Sequence, residues 1–398
     1  MKENKSKYYS PSDSVSILPL GDYDKIGARR ALEELLAPIG SLDFVREGMT
    51  VIIKANLVSA MKPEEAATTH PILISALVDM LYEKGAKRVI IGDSPGGLYN
   101  AAHLNKVYNT TGMTACLEHG AELNCNFEEK TAHFEDAKVC NTFAYTAYLD
   151  EADVIINFCK LKSHGMMGMS SAAKNIFGTI PGVIKPEYHY RFPNYSDFSD
   201  MLVDLNEYFH PTLSICDAVV GMEGNGPTAG TPKHMGCLLA SRSPHTLDMI
   251  AAELIGFKPD EIPTLDAAKR RGMIPDTTDE VITFGDVKAL AVPDFERVVE
   301  RRSLGFWGSS KNPVKNFLGK IVEKILETRP ALNPKLCVGC GVCKNICPAK
   351  AIVIKDGKAE IDRKKCIRCF CCQEFCPKSA MIVKRTFIAN LFHREKKK

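Results

Sequence analysis

One spacing of cysteines is used twice near the end of the chain, and it constrains the fold more than any other feature. Cys337, Cys340, Cys343 and Cys347 precede Pro348, and Cys366, Cys369, Cys372 and Cys376 precede Pro377, so both runs read C-x2-C-x2-C-x3-C-P. Three thiolates separated by two residues let a tight loop hold three corners of an iron-sulfur cube, while the fourth opens a helical turn and ligates the other cluster. The spacing therefore predicts one 4Fe-4S cluster on Cys337, Cys340, Cys343 and Cys376, and a second on Cys366, Cys369, Cys372 and Cys347. Zinc is the competing reading, but zinc sites pair two short Cys runs and need neither a third Cys at x2 nor a Cys-Pro. Cys371 is left over by the spacing and reads as a buried free thiol.

A shift of 29 residues superposes Cys337 on Cys366, Cys347 on Cys376, Pro348 on Pro377 and Ala351 on Ala380. Between the halves, two apolar segments flank Lys355-Asp356-Gly357-Lys358, whose Asp-Gly pair suits a tight hairpin turn. This arrangement resembles the plan of a bacterial two-cluster ferredoxin.

Such a module needs about 55 residues, so a large domain must precede it in this 398-residue chain. Nine of the 15 Cys sit in the module and the other six are scattered, which suits a reducing cytoplasm better than a disulfide framework. No apolar leader opens the sequence and no run of about 18 apolar residues occurs, so no membrane span is expected. The net charge of +3 is uneven. Residues 331–398 hold 16 Lys and Arg against five acids, or +11, which leaves −8 on the rest. This basic surface could meet the acidic domain, an acidic redox partner protein or solvent. No nucleic-acid motif accompanies it, so nucleic acid is not expected as a partner.

Upstream, Asp24 to Leu36 has helical spacing, and Val51 to Lys54, Pro71 to Glu83 and Arg88 to Ile91 read as strand, helix, strand. Further helices are expected over 98–118, Ser171 to Phe177, 197–209 and Pro244 to Ile255. Further strands are expected at Glu122 to Phe127, Phe143 to Leu149, Asp153 to Phe158, Leu213 to Cys216, Cys237 to Ala240 and Val281 to Phe284. The fold class is α/β: a parallel or mixed sheet flanked by helices, then a small α+β ferredoxin-like domain. The expected division is 1–293 for the α/β domain, 294–330 for a linker with an amphipathic helix at Val314 to Leu326, 331–384 for the module and 385–398 for a basic tail.

Open parallel sheets bind ligands beyond the carboxyl ends of their strands. Polar groups collect there: Lys54 and Asn56; Asp93 before a Gly-rich turn; Lys160, Lys162 and His164, with Lys174 and Asn175 ten residues on; and Asp217, followed by Glu223, Gly224 and Gly226. Together they describe a cleft for a small anionic substrate, with His164 or a Lys (Lys160, Lys162, Lys174) as proton donor. A divalent metal on Asp93, Asp217 and Glu223, or a flavin, would suit such a cleft, although no motif supports either. The absence of G-x-x-x-x-G-K-[ST] and of G-x-G-x-x-G after the first strand argues against a P-loop and a Rossmann fingerprint.

The blocks VIIKANLV, TTHP, VIINFCKLKSHG, AAKNIFG, DAVVGMEGNGP and SPHTLD, over roughly residues 45 to 290, resemble the family of domain of unknown function 362. The resemblance implies an α/β domain fused to a ferredoxin module, and it adds His70 and Asp248 to the residues above. Ser243 stands where an Asp is more usual. The expected function is ferredoxin-type electron transfer feeding a redox reaction on an anionic substrate. The alternatives are a carrier whose N-terminal domain only docks a partner, and a cluster-dependent ligand-binding or regulatory protein.

Overall fold

The computed structural model describes residues 13–297 and 328–384. The expected helix at Val314 to Leu326 and the basic tail lie outside the described residues.

Alternation of strand and helix builds the first domain: β1 (Val15–Pro19), α1 (Lys25–Leu36), β2 (Thr50–Ala55), α2 (Pro71–Glu83), β3 (Arg88–Gly92), α3 (Ala101–Thr110) and β4 (Glu122–Leu123). Local chemistry sets the helix starts. Asp24 accepts from the Gly27 N–H at 2.7 Å at the head of α1, and Pro71 occupies the first turn of α2 with His70 as its cap. The helix expected over 98–118 breaks at Gly112, which takes φ +74°, and a 3-10 segment Met113–His119 follows.

The chain then forms a separate hairpin, β5 (Glu129–His133) with β6 (Thr142–Thr146), and returns through β7 (Val154–His164), β8 (Gly168–Ser170), α4 (Ala172–Asn175), α5 (Lys185–Arg191) and α6 (Tyr195–Phe209). It finishes with β9 (Leu213–Glu223), β10 (Thr231–Ser241), α7 (Pro244–Leu254), α8 (Pro263–Arg270) and β11 (Thr283–Phe284). The sheet runs β11-β1-β10-β9-β7-β2-β3-β4, with β8 paired to β7. Strands β9, β7, β2, β3 and β4 are mutually parallel, and β10 is antiparallel to both β9 and β1.

Period-two alternation divides the core between the two faces. Val51, Ile53, Val89, Ile91, Ile156 and Phe158 pack with α1, α2 and α3. On the other face, Ile52 and Ile90 pack with α6, while Cys159, Leu161, Cys216 and Leu239 pack with α7 and α8. Strands β7 and β9 outrun their apolar cores. Their polar ends stay in the sheet because each buried charge there finds a partner. The strands expected at Glu122 to Phe127 and Val281 to Phe284 shrink to two residues each.

In the module, β12 (Arg329–Leu332) pairs with β15 (Met381–Lys384), and β13 (Ile352–Lys355) with β14 (Lys358–Ile361) across the Asp-Gly turn. Strand β12 starts inside the stretch expected as linker. Short helices Val342–Asn345 and Cys371–Glu374 follow Cys340 and Cys369.

Candidate functional site

The chain leaves β2 for β3 and β4 on one side, then crosses back so that β7 lies against the opposite edge of β2. A ligand crevice belongs at that switch point, outside the carboxyl ends. A cavity of about 420 Å³ is found there, lined among others by Asn56, Asp93, Lys162, His164, Lys174 and Asn175.

Asn56, Asp93, Lys162 and Asn175 form one network with Lys54 and Asn157. Lys54 lies 2.7 Å from Asp93 Oδ1 and donates to the Ala55 carbonyl at 2.7 Å. Asp93 also accepts the Leu57 N–H at 2.6 Å and the Ser94 N–H at 2.8 Å. Asn175 accepts from Asn56 Nδ2 at 2.7 Å and donates to Asn157 Oδ1 at 2.8 Å; Asn56 Oδ1 accepts from Lys162 at 2.7 Å. Burial lowers the Lys54 pKa despite the Asp93 charge, and burial together with nearby Lys174 brings that of Lys162 down to about 7.

His164 Nδ1 accepts from the backbone N–H groups of Met166 and Met167, at 3.1 and 3.2 Å, so the ring proton sits on Nε2. That Nε2 lies 3.1 Å from Glu374 Oε1 of the module, though poorly aligned for a hydrogen bond. Burial depresses the His164 pKa, which keeps the ring neutral. Burial opposes ionisation of Glu374, but contact with His164 and the charge of nearby Lys174 outweigh it and bring its pKa to about 2.

Other residues from the sequence reading lie elsewhere. Lys54 is level with Asn157, whereas Lys160 falls on the opposite face and pairs with Asp217 at 2.9 Å, beside Tyr23. The His70 ring stacks on Tyr23 at 3.7 Å, and the His70 backbone N–H donates to Asp217 at 3.0 Å. Glu223 accepts the Glu296 N–H, and the Gly224 carbonyl and Gly226 N–H both bind the Ser163 hydroxyl. Asp93, Asp217 and Glu223 are thus each engaged separately, and these three carboxylates do not gather around a single ion. Asp248 caps α4 through the N–H groups of Ala172 and Ala173, at 2.7 and 3.0 Å. Ser243 caps α7 by accepting from the Thr246 N–H, a task an Asp performs equally well.

Several lining residues escaped the sequence reading: Ser94, Phe177, Lys185, His189, and Glu374 to Pro377 of the module. Lys185 donates to the Ser94 carbonyl, and burial lowers its pKa to about 7. Only the Gly-rich turn after Asp93 hinted at Ser94.

The module closes one wall of the cleft. Gln373 Nε2 donates to the carbonyls of Asn225 and Gly226 at 2.7 and 3.1 Å, the Val383 N–H reaches Asn225 Oδ1 at 2.8 Å, and Thr228 Oγ1 donates to the Glu374 carbonyl at 3.1 Å. Phe370 and Val383 join the apolar cluster beneath α6. Within the module, Cys337, Cys340, Cys343 and Cys376 line one cavity, while Cys347, Cys366, Cys369 and Cys372 line another together with Cys371. The Ala351 N–H donates to Cys347 Sγ and the Ala380 N–H to Cys376 Sγ, each at 3.2 Å, so one bond recurs at the 29-residue interval. Four thiols around one cavity and five around the other, with N–H donors aimed at sulfur, suit iron-sulfur ligation.

The family model described as "Domain of unknown function (DUF362)" matches residues 51–253, and that described as "4Fe-4S dicluster domain" matches 329–377. A thylakoid-associated protein of Synechocystis is 30% identical over 285 residues, which are 71% of this chain and 87% of that protein. Among solved structures, the lactate racemase apoprotein of Thermoanaerobacterium thermosaccharolyticum superposes with TM-score 0.40 at 12% identity, over 64% of this chain and 59% of that one. A Thermotoga maritima protein gives TM-score 0.34 at 12% identity over 52% of each chain. The chain thus spans little more than half the length of these two structures. No helix among the described residues is long and apolar enough to cross a membrane. With the family model over half its length and a 4Fe-4S module behind it, the chain belongs to the domain of unknown function 362 family.

Proposed function

We propose that this protein carries two 4Fe-4S clusters, on Cys337, Cys340, Cys343 and Cys376 and on Cys366, Cys369, Cys372 and Cys347, and serves a redox reaction on a small anionic substrate in the α/β cleft. The observation that carries this reading is that Cys376 lines both its four-thiol cavity and the cleft. A ligand in the cleft would touch the wall that holds this cluster. When bound, the clusters supply electrons one at a time.

The chain's own residues supply the rest. Lys162, Lys174 and Lys185 attract the anion, and the Asn56–Asn175–Asn157 ladder fixes the floor from which Lys162 projects. Glu374 sets the module's wall against the neutral His164 ring, so docking and cleft geometry are set together. A reducing cytoplasm and a redox protein as electron partner belong to the same reading.

The test is an anaerobic titration of dithionite-reduced holoprotein, of known iron and sulfide content, with small anionic acceptors. The reading requires about eight irons per chain and at least one acceptor that reoxidises the clusters faster than buffer does. Failure of every acceptor would remove it.

A further inference from the structure

Several polar groups in the cleft have no answering group among the described residues. The Ser94 hydroxyl, in a residue 1% exposed, lacks a hydrogen-bond partner, and so does Nδ1 of His189, 2% exposed; both residues line the cleft. Leaving such buried groups unpaired costs free energy unless something else satisfies them. Phe177 gathers the other members. Lys174 Nζ stands 4.9 Å from its ring centroid and makes no ion pair or hydrogen bond among the described residues, Lys185 Nζ stands at 5.8 Å, and the His189 ring meets it at 5.6 Å. Lys185 also grips the Ser94 carbonyl, which ties the hydroxyl to the same wall.

The carboxylates nearby are committed. Asp93 is held by Lys54 and two backbone N–H groups, and Glu374 faces His164. Lys54 offsets Asp93 and Lys106 offsets Glu65, so the three ammoniums of Lys162, Lys174 and Lys185 against Glu374 leave two positive charges when protonated. Resting on the cleft reading above, we propose that Ser94, Lys174 and Lys185 form the receptor for a compact dianion, a phosphate or a dicarboxylate. Gly96, two residues beyond Ser94, lies so close to Phe375 that a Cβ there would meet the ring at 2.6 Å. The remainder of a ligand anchored at Ser94 would therefore extend along the wall that carries Cys376.

Calorimetry on anaerobic holoprotein tests this with oxidised clusters and no electron donor, so the result is independent of any redox reaction. The probes are inorganic phosphate and malonate, with acetate as the monoanion. One site per chain is expected, binding a dianion at least tenfold more tightly than acetate. Lys174→Met and Lys185→Met should each weaken it at least tenfold and Ser94→Ala severalfold, with iron content unchanged. Binding of phosphate alone or of malonate alone would assign the anion's source and support the receptor. No dianion binding, or binding untouched by the Lys174 and Lys185 changes, would overturn it, even if some other acceptor reoxidised the clusters. Binding without any reoxidation would keep the receptor and remove the electron-transfer reading.

Discussion

Lys162 donates to Asn56 Oδ1 and to the Ala67 carbonyl, each at 2.7 Å, with its side chain 1% exposed. Burial, with Lys174 and Lys160, disfavours its charge; Asp93 and Glu374 favour it, and the balance lies at about 7 against 10.5 for a free side chain. Between these values the unfolded chain binds more protons than the folded one, so this residue makes stability rise with pH from about 7 to 10.5. The increment is at most ~1.4 kcal/mol per pH unit. Denaturant midpoints of holoprotein across that range should climb more steeply in the native protein than in Lys162→Met; equal slopes would contradict it. Gly178 gives a second prediction, because a Cβ there would strike Asp93 Oδ1 and Lys54 Nζ. Gly178→Ala should cost ~1–3 kcal/mol by overpacking, read as a lower denaturant midpoint with iron content unchanged. At this scale the sequence was partly legible. Its strand-end rule located Asn56, Lys162 and Lys174, but the two-residue alternation that sends Lys160 away from Lys54 depends on the β2–β7 register. Ser94, Lys185 and Glu374 come together only through tertiary packing, for which no local pattern exists.

Among the elements, the short helix Cys371–Glu374 performs several tasks. Cys372 faces the cavity shared with Cys366, Gln373 grips the loop after β9, and Glu374 meets His164. Cys371 lines the same cavity, so spacing rather than proximity separates it from the ligands. Cys371→Ser should retain about eight irons per chain, whereas Cys372→Ser should lose iron; the reverse result would shift the ligand assignment by one residue. Gln373→Ala strands the Asn225 and Gly226 carbonyls, at a cost of ~1–3 kcal/mol. The variant should keep its iron while its denaturant midpoint falls. Element positions were readable where a cap or proline marked them, as at Asp24 and Pro71. They were not readable where charged residues continue a strand, since Lys160 in β7 and Asp217 in β9 look like ends until each is seen to neutralise the other.

For the whole molecule, the sequence displayed the order of parts and the internal repeat but not their docking. Covalent fusion alone left the linker free to place the clusters anywhere. The structure seats the module on the crevice at the β2–β7 switch point, so that Glu374, Phe375, Cys376 and Pro377 complete a cavity begun by Asn56, Lys162 and Lys174. On the proposed reading, binding site and electron source share that wall, which is the central claim. Its most direct test is stopped-flow reoxidation of dithionite-reduced protein by its best anionic acceptor, in the native chain and in Lys174→Met. The account predicts a rate that saturates with acceptor and a half-saturation concentration at least tenfold higher in the variant, with reoxidation by an uncharged quinone the same in both. A rate linear in acceptor and equal in the two proteins would contradict it.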